Sequence, residues 1–349
     1  MDFNKKLTNW YSNNKRDLPW RNTKNPYYIW LSEIILQQTQ VKQGLPYYEA
    51  FVKTYPTIFD LANATEQEVL KLWQGLGYYS RARNLHTTAK HIAFNLDGEF
   101  PNNYKDLLKL KGVGDYTASA IASIAFNEVA AVVDGNVYRV LSRYFGIDTP
   151  INSTSGIKEF KKLASSLIDR EQPATFNQAI MEFGARQCKP KNADCSICPL
   201  NNGCVALQKG LVETLPVKLK KTKVTNKYFN FLVCVDQNKN TLLEKRTGKG
   251  IWQNLYQFPL VESTKSLKTN EFHLLNVEEE LFKGLKFDYW LYNESDIIHK
   301  LSHQHLYTKF WIVEINELPK GSIPVKNLDL YPTPVLISDF INTFNFNNI

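Results

Sequence analysis

The 349-residue sequence predicts two domains in series, an all-α domain closed by a cysteine-rich knot and then an α+β domain. Three observations carry this expectation. The chain is long for a single core, so it is expected to split. Apolar residues recur at helical spacing up to about residue 212 and alternate from about residue 228 onward. Four of the five cysteines crowd into one short stretch at Cys188, Cys195, Cys198 and Cys204. The expected boundaries are a helical domain over 1–212, a basic linker over 213–227 and a second domain over 228–349.

In the first domain, Ile29, Ile34, Leu36 and Val41 form one helically spaced run. Val69, Leu72 and Trp73 form a second, and Val137, Val140, Leu141 and Tyr144 a third. Pro56, Gly75, Gly77, Pro101, Gly112, Gly114, Gly146 and Pro173 punctuate these runs as helix stops and turns. The linker carries Lys218, Lys220, Lys221, Lys223 and Lys227 among few other charges. It either lies along phosphates or is a solvated tether. Beyond it, Phe229, Phe231, Val233 and Val235 share one face of a strand, and His305–Ile315 reads as another. Helical patches at Val277–Lys283 and near the C-terminus complete an α+β pattern.

A hydrophobic content of 43% with 13% aromatics is that of packed domains, not a disordered chain. The formal charge of +8 points to a polyanionic partner. The first residues lack the apolar stretch of a secretory signal, and no apolar run is long enough to span a bilayer. Cys234 stands apart from the other four, and an unpaired thiol suits a reducing compartment. A cytoplasmic monomer with no membrane partner is expected.

The cysteine knot has gaps of six, two and five residues. A structural zinc ribbon commonly uses two C-x-x-C pairs, and only one is present here. The spacing favours an iron–sulfur cluster of the 4Fe-4S type, with zinc and disulfides as the alternatives. Upstream, Leu110–Ala118 places Gly112 and Gly114 at the opening of an Ala/Ser-rich helix. Glycines there let a phosphate approach the backbone, and the free N–H groups of a helix start point at the anion.

A glycine pair alone is a common turn. Joined to the cysteines, it resembles the helix-hairpin-helix, iron–sulfur DNA glycosylase superfamily, and within it the MutY-type adenine DNA glycosylases. The resemblance runs through Arg16–Arg21, Ser32–Val41, Gly75–Leu85, Val133–Val137 and Phe176–Ala179 to the cysteines. Glu244–Pro259 is similar to the family's Nudix-like C-terminal domain, without the glutamate-rich catalytic signature. The resemblance implies removal of adenine opposite 8-oxoguanine, or guanine, from double-stranded DNA, with a 4Fe-4S cluster on the four cysteines.

Two carboxylates suit that chemistry, which needs one neutral and one ionised group. Glu33 sits in a helix apolar on nearly every side, where the neutral form is favoured. Asp134 follows an apolar run and precedes a helix, where capped N–H groups should keep it ionised. Read without the resemblance, they are a solvated or satisfied glutamate and an ordinary helix cap. With it, they become the general acid and the stabiliser of the sugar cation, with Asn136 ordering the region or the attacking water. Tyr116 stands where the lyase-active relatives carry a lysine, which implies a glycosylase without efficient strand cleavage; it is expected to hydrogen-bond near the sugar or Asp134. The resemblance further implies that Trp20, Arg21 and Gln178 line the adenine pocket. Gln37, Gln38 and Thr39 would face base edges, and Tyr78 would be an intercalating wedge. Gly112, Gly114, Lys189 and Lys191 would contact phosphates. Ser302 and His303 would recognise 8-oxoguanine beside Leu301, where the family has phenylalanine.

Overall fold

The structure is a computed structural model that describes residues 2–219, 224–277, 282 and 285–348. It divides into two compact units, Met1–Asn63 with Asn84–Lys220, and Ala64–Arg83 with Lys221–Ile349. Lys220, Lys221, Lys223, the acidic Glu278–Glu280 stretch and most of the helical patch expected at Val277–Lys283 lie outside the described residues.

The helices in chain order are α1 (Asp2–Asn14), α2 (Pro26–Ile35), α3 (Val41–Thr54), α4 (Ile58–Asn63), α5 (Glu66–Leu72) and α6 (Ser80–Asn95). They continue with α7 (Tyr104–Leu107), α8 (Asp115–Phe126), α9 (Gly135–Phe145), α10 (Thr154–Leu167), α11 (Pro173–Arg186) and α12 (Val205–Gln208). Asn25 starts α2 by accepting from the Tyr27 N–H, with Pro26 at the first helical position. The helix is apolar on nearly every face and is buried accordingly, from Ile29 to Ile35. The expected single run from Ile29 to Val41 is broken between α2 and α3, where Gln38 takes a positive φ of 56°.

Within the first unit, α11 packs against α1, α8 and α9, and α2 packs against α8. The α9–α11 contact depends on a missing side chain. A Cβ on Gly184 would lie 2.7 Å from the Asn136 Cβ and 2.8 Å from its carbonyl oxygen. Asn177 on α11 is wholly buried, accepting from Val132 N–H and donating to Ser123 Oγ and the Ala130 carbonyl. It fixes the extended segment that leads into α9. The described end of the linker is no free tether: the Leu219 N–H donates to Asn152 Oδ1, and the Ile151 N–H to the Val217 carbonyl.

The second unit is built on a mixed sheet around two long parallel neighbours, β1 (Thr225–Asp236) and β8 (Gln304–Ile315), paired from Thr225↔Gln304 to Asp236↔Ile315. β2 (Asn240–Thr241) and β5 (Leu260–Ser263) run antiparallel to β1, and β6 (Phe287–Leu291) and β7 (Ile297–Lys300) antiparallel to β8. β3 (Glu244–Lys245) and β4 (Tyr256–Gln257) form a separate pair, and β9 (Ile323–Pro324) extends β2. The alternation expected for β1 gives way to burial of both faces from Phe229 to Asp236. Leu232 and Cys234 join a core with Phe272, Leu275, Trp311 and Val313. On the other face Phe231 stacks on Phe310, and Phe310 on Phe340 of the C-terminal helix α13 (Val335–Thr343). A sheet covered on both sides selects apolar residues at every position.

Residues 64–83 are tied into this second unit. Gln74 donates to Ser338 Oγ and accepts from the Thr333 N–H, Asn254 donates to Glu66, and Arg83 donates to the Gln253 carbonyl.

Candidate active site

A cavity of about 960 Å³ opens in the first unit, and Glu33, Tyr116, Asp134, Asn136, Gln178 and Glu182 all line it. Glu33 projects from the third turn of α2, and only 8% of the residue is exposed. Its carboxyl accepts from Tyr116 Oη at 2.6 Å. Burial pushes the Glu33 carboxyl up to about 7; the Tyr116 hydrogen bond pulls it down, and Asp134 adds to the rise. A carboxyl balanced there can give up a proton near neutral pH. Tyr116 therefore engages Glu33, where the sequence led to a partner at the sugar or Asp134; its hydroxyl also meets Met181 Sδ at 3.3 Å.

Asp134 caps α9. Its Oδ1 accepts from the Asn136 and Val137 N–H groups at 2.9 and 2.8 Å, and its Oδ2 from Asn136 Nδ2 at 2.7 Å. The sequence suggested that these donors would dominate. Burial is the larger influence and raises the Asp134 carboxyl above its ordinary value, with the three hydrogen bonds opposing it. Glu33 has one hydrogen-bond donor where Asp134 has three, so the charged form is supported far better at Asp134.

Arg139 joins this cap to the cysteine knot. Its guanidinium donates to Asn136 Oδ1 at 2.9 Å, the Gly184 carbonyl and the Cys188 carbonyl at 2.7 Å. One turn later Arg143 donates to the Lys189 and Pro190 carbonyls, and lies 3.4 Å from Cys188 Sγ. Cys188, Cys195, Cys198 and Cys204 share the wall of one small cavity of about 30 Å³. No three His, Cys, Asp or Glu groups among the described residues are arranged for a metal ion. Burial pushes the Cys198 thiol up to about 11 and also raises Cys188 and Cys195.

The same large cavity is lined by a different kind of carboxylate. Glu182, on α11, is 1% exposed and accepts from Arg16 Nε at 2.8 Å, Arg16 Nη2 at 2.6 Å and Arg21 Nη2 at 2.7 Å. Burial pushes it up, but these guanidinium hydrogen bonds outweigh burial and hold it at about 2. Arg21 thus reaches the cavity as expected but is anchored by Glu182. Trp20 lines the same cavity and packs edge-on against Tyr48, so it is pocket wall and core together. Gln178 accepts from Tyr11 Oη at 2.6 Å.

Gln38 and Thr39 also line the cavity, whereas Gln37 turns inward and donates to Thr117 Oγ1. Lys189 and Lys191 are exposed at its rim. Gly112 needs its positive φ of 79°, and a Cβ there would meet Asn84. At Gly114, which opens α8, the corresponding space is clear, leaving room for a phosphate. Tyr78, Ser302 and His303 belong to the second unit. Tyr78 is half exposed on a tight turn, with the Arg81 guanidinium near its ring. Ser302 and His303 are exposed between β7 and β8, beside a half-buried Leu301.

Sequence reading missed Glu182, Arg16, Arg139, Arg143, Asn177 and Tyr11. A usable signal existed for some. Glu182 interrupts the apolar run Ala179–Phe183, and Arg139 and Arg143 stand one turn apart on a buried helix face.

Comparison with known proteins agrees with this geometry. Residues 31–165 match the model for the HhH-GPD superfamily base excision DNA repair protein, and residues 230–343 that for the NUDIX domain. The chain is 37% identical over 318 residues to an adenine DNA glycosylase of Buchnera aphidicola subsp. Baizongia pistaciae, covering 90% of this chain and 87% of the relative. It is 44% identical over 226 residues to the adenine DNA glycosylase of Mus musculus, covering 61% and 44% of the two chains. Among solved structures, a thermostable thymine-DNA glycosylase superposes with a TM-score of 0.55 at 32% identity, over 59% of this chain and 95% of that one. A helical glycosylase domain followed by an α+β NUDIX domain, with both sequence matches in order, places this chain in the family of MutY-type adenine DNA glycosylases of base excision repair.

Proposed function

We propose that the chain hydrolyses the N-glycosidic bond of adenine mispaired with 8-oxoguanine, or guanine, after flipping the adenine into the Glu33 cavity. The observation that carries this is the pairing in one cavity of a carboxyl balanced near 7 with a second carboxyl held by three donors. Glu33 gives its proton to adenine N7 as the bond from C1′ to the base breaks. Asp134 stabilises the cationic sugar, a water adds to C1′, and the water's second proton leaves to solvent or to a carboxylate. Asn136 holds Asp134 and orders the approach of that water. Trp20, Arg21 and Gln178 form the base pocket, with Gln38 and Thr39 at its mouth and Gln37 bracing Thr117.

Tyr116 supplies no amine for a Schiff base, so strand scission is not part of the reaction. Tyr78 fills the space vacated by the flipped base. Gly112, Gly114, Lys189 and Lys191 hold phosphates, so affinity falls steeply with salt. Ser302 and His303 read 8-oxoguanine by polar contacts, without the aromatic group that Leu301 replaces. Along the sequence the domains run over 1–212 and 228–349, joined by 213–227, with residues 64–83 of the first stretch folded into the second compact unit. The enzyme acts as a monomer on DNA in the cytoplasm; no described helix is long and apolar enough to cross a membrane.

The four thiols suit a 4Fe-4S cluster. They line one cavity, and burial disfavours the bare charged forms of Cys188, Cys195 and Cys198. Cys188, Cys195, Cys198 and Cys204 would hold the cluster, which would supply a rigid cross-link for the Lys189–Lys191 loop. Iron and sulfide analysis of purified protein tests this, and stoichiometric zinc with no iron would overturn it.

A labelled duplex with adenine opposite 8-oxoguanine, developed with and without alkali, tests the reaction. Base loss that needs alkali for strand scission supports the reading. Scission without alkali refutes the monofunctional part, and binding without base loss refutes the whole.

A further inference from the structure

The pocket must tell a purine with an amino group at C6 from one with a carbonyl there, and the amide of Gln178 is an unreliable reader alone. Turning the amide over exchanges its donor and acceptor ends, so a free glutamine matches either purine. Here the amide is not free. Tyr11, at 5% exposure, sets its hydroxyl 2.6 Å from Gln178 Oε1. The hydroxyl is the donor of this contact and the amide oxygen its acceptor, so the oxygen end of the amide faces Tyr11. It is the only hydrogen bond of Tyr11 Oη among the described residues. Turning the amide over would leave the phenol proton without an acceptor in a buried site. Tyr11 is itself held, with the Arg21 guanidinium 5.6 Å from its ring centroid. It does not line the cavity, so it acts on a bound base only through Gln178.

We propose that Tyr11 is a positioning residue that locks the Gln178 amide in one orientation, so that the pocket accepts a 6-aminopurine and rejects a 6-oxopurine. This rests on the pocket reading above. The locked amide keeps its N–H donors for a ring-nitrogen acceptor and a remaining lone pair for the exocyclic amino group, the pattern of adenine. Hypoxanthine offers a carbonyl and a ring N–H in the reverse order.

The test is single-turnover release of adenine and of hypoxanthine opposite 8-oxoguanine by the full-length protein. It compares wild type, Tyr11→Phe, Gln178→Met and the double variant. Phenylalanine keeps the ring beside Arg21 and removes only the hydroxyl. Expected in Tyr11→Phe is an adenine rate within about threefold of wild type and an adenine-to-hypoxanthine ratio lowered about tenfold. In the Gln178→Met background, Tyr11→Phe should leave the ratio unchanged. Proportional loss of both rates, or the same change of ratio without Gln178, would overturn the lock while leaving the pocket reading intact. A wild-type protein that releases no adenine would overturn both.

Discussion

Two glutamates line one cavity, both shielded from water, and they end in opposite states. Glu33 stands on an apolar helix with a single phenolic donor and is raised to about 7. Glu182 faces two guanidinium groups and is held at about 2. Burial acts on both in the same direction. The hydrogen-bond complement decides the outcome: Glu33 keeps a transferable proton, and Glu182 a fixed negative charge that anchors Arg16 and Arg21.

The sharpest way to break this contrast is Glu33→Gln, which keeps the shape and removes the acid. Single-turnover adenine release should fall by about 10³-fold, the range for losing general acid catalysis. Next in size is Glu182→Gln, which strands two arginines beside a buried amide. Stability in urea should drop by about 3 kcal/mol at pH 7. Because the Glu182 carboxyl is depressed in the folded state, its contribution is present above pH 4.5 and is lost as pH falls toward 2, so the variant and wild type should converge in acid.

Glu33 should show the opposite sign. Its carboxyl is raised, so the folded state holds more protons between pH 4.5 and about 7, and wild-type stability falls as pH rises through that window. Glu33→Gln should therefore unfold at higher urea than wild type above pH 7, by about 3 kcal/mol, with no gain below pH 4.5. The smallest effect is expected from Tyr116→Phe. Losing the donor that favours the Glu33 carboxylate should move the alkaline limb of the single-turnover profile upward by about one pH unit. A limb that stays in place would show that Tyr116 does not tune this acid.

The contrast also shows which features were legible in the sequence. Asp134 could be recognised as a cap because its partners, Asn136 and Val137, are two and three residues away. The apolar surroundings of Glu33 were equally visible along its own helix. Glu182 was silent because Arg16 and Arg21 lie some 160 residues earlier, and only the packing of α11 against α1 brings them together. The strength of burial at Asp134 was hidden for the same reason: local donors are written in the sequence, and the walls that exclude water are not. The strands show this again in β1, whose alternating residues gave the right element but understated burial, because both covering layers come from distant segments.

One feature of the fold bears on how the protein can be dissected. Residues 64–83, with Tyr78 on their turn, are held by Asn254, Thr333 and Ser338 although they precede those residues by more than 150 positions. A clone that stops at the lysine-rich stretch therefore removes the scaffold of the turn at residues 75–79 along with the 301–303 loop. Its phenotype mixes two injuries. Chimeras that exchange the carboxy-terminal half between relatives should carry the 64–83 segment across with it, because the mechanical seam of this protein does not follow the order of its chain.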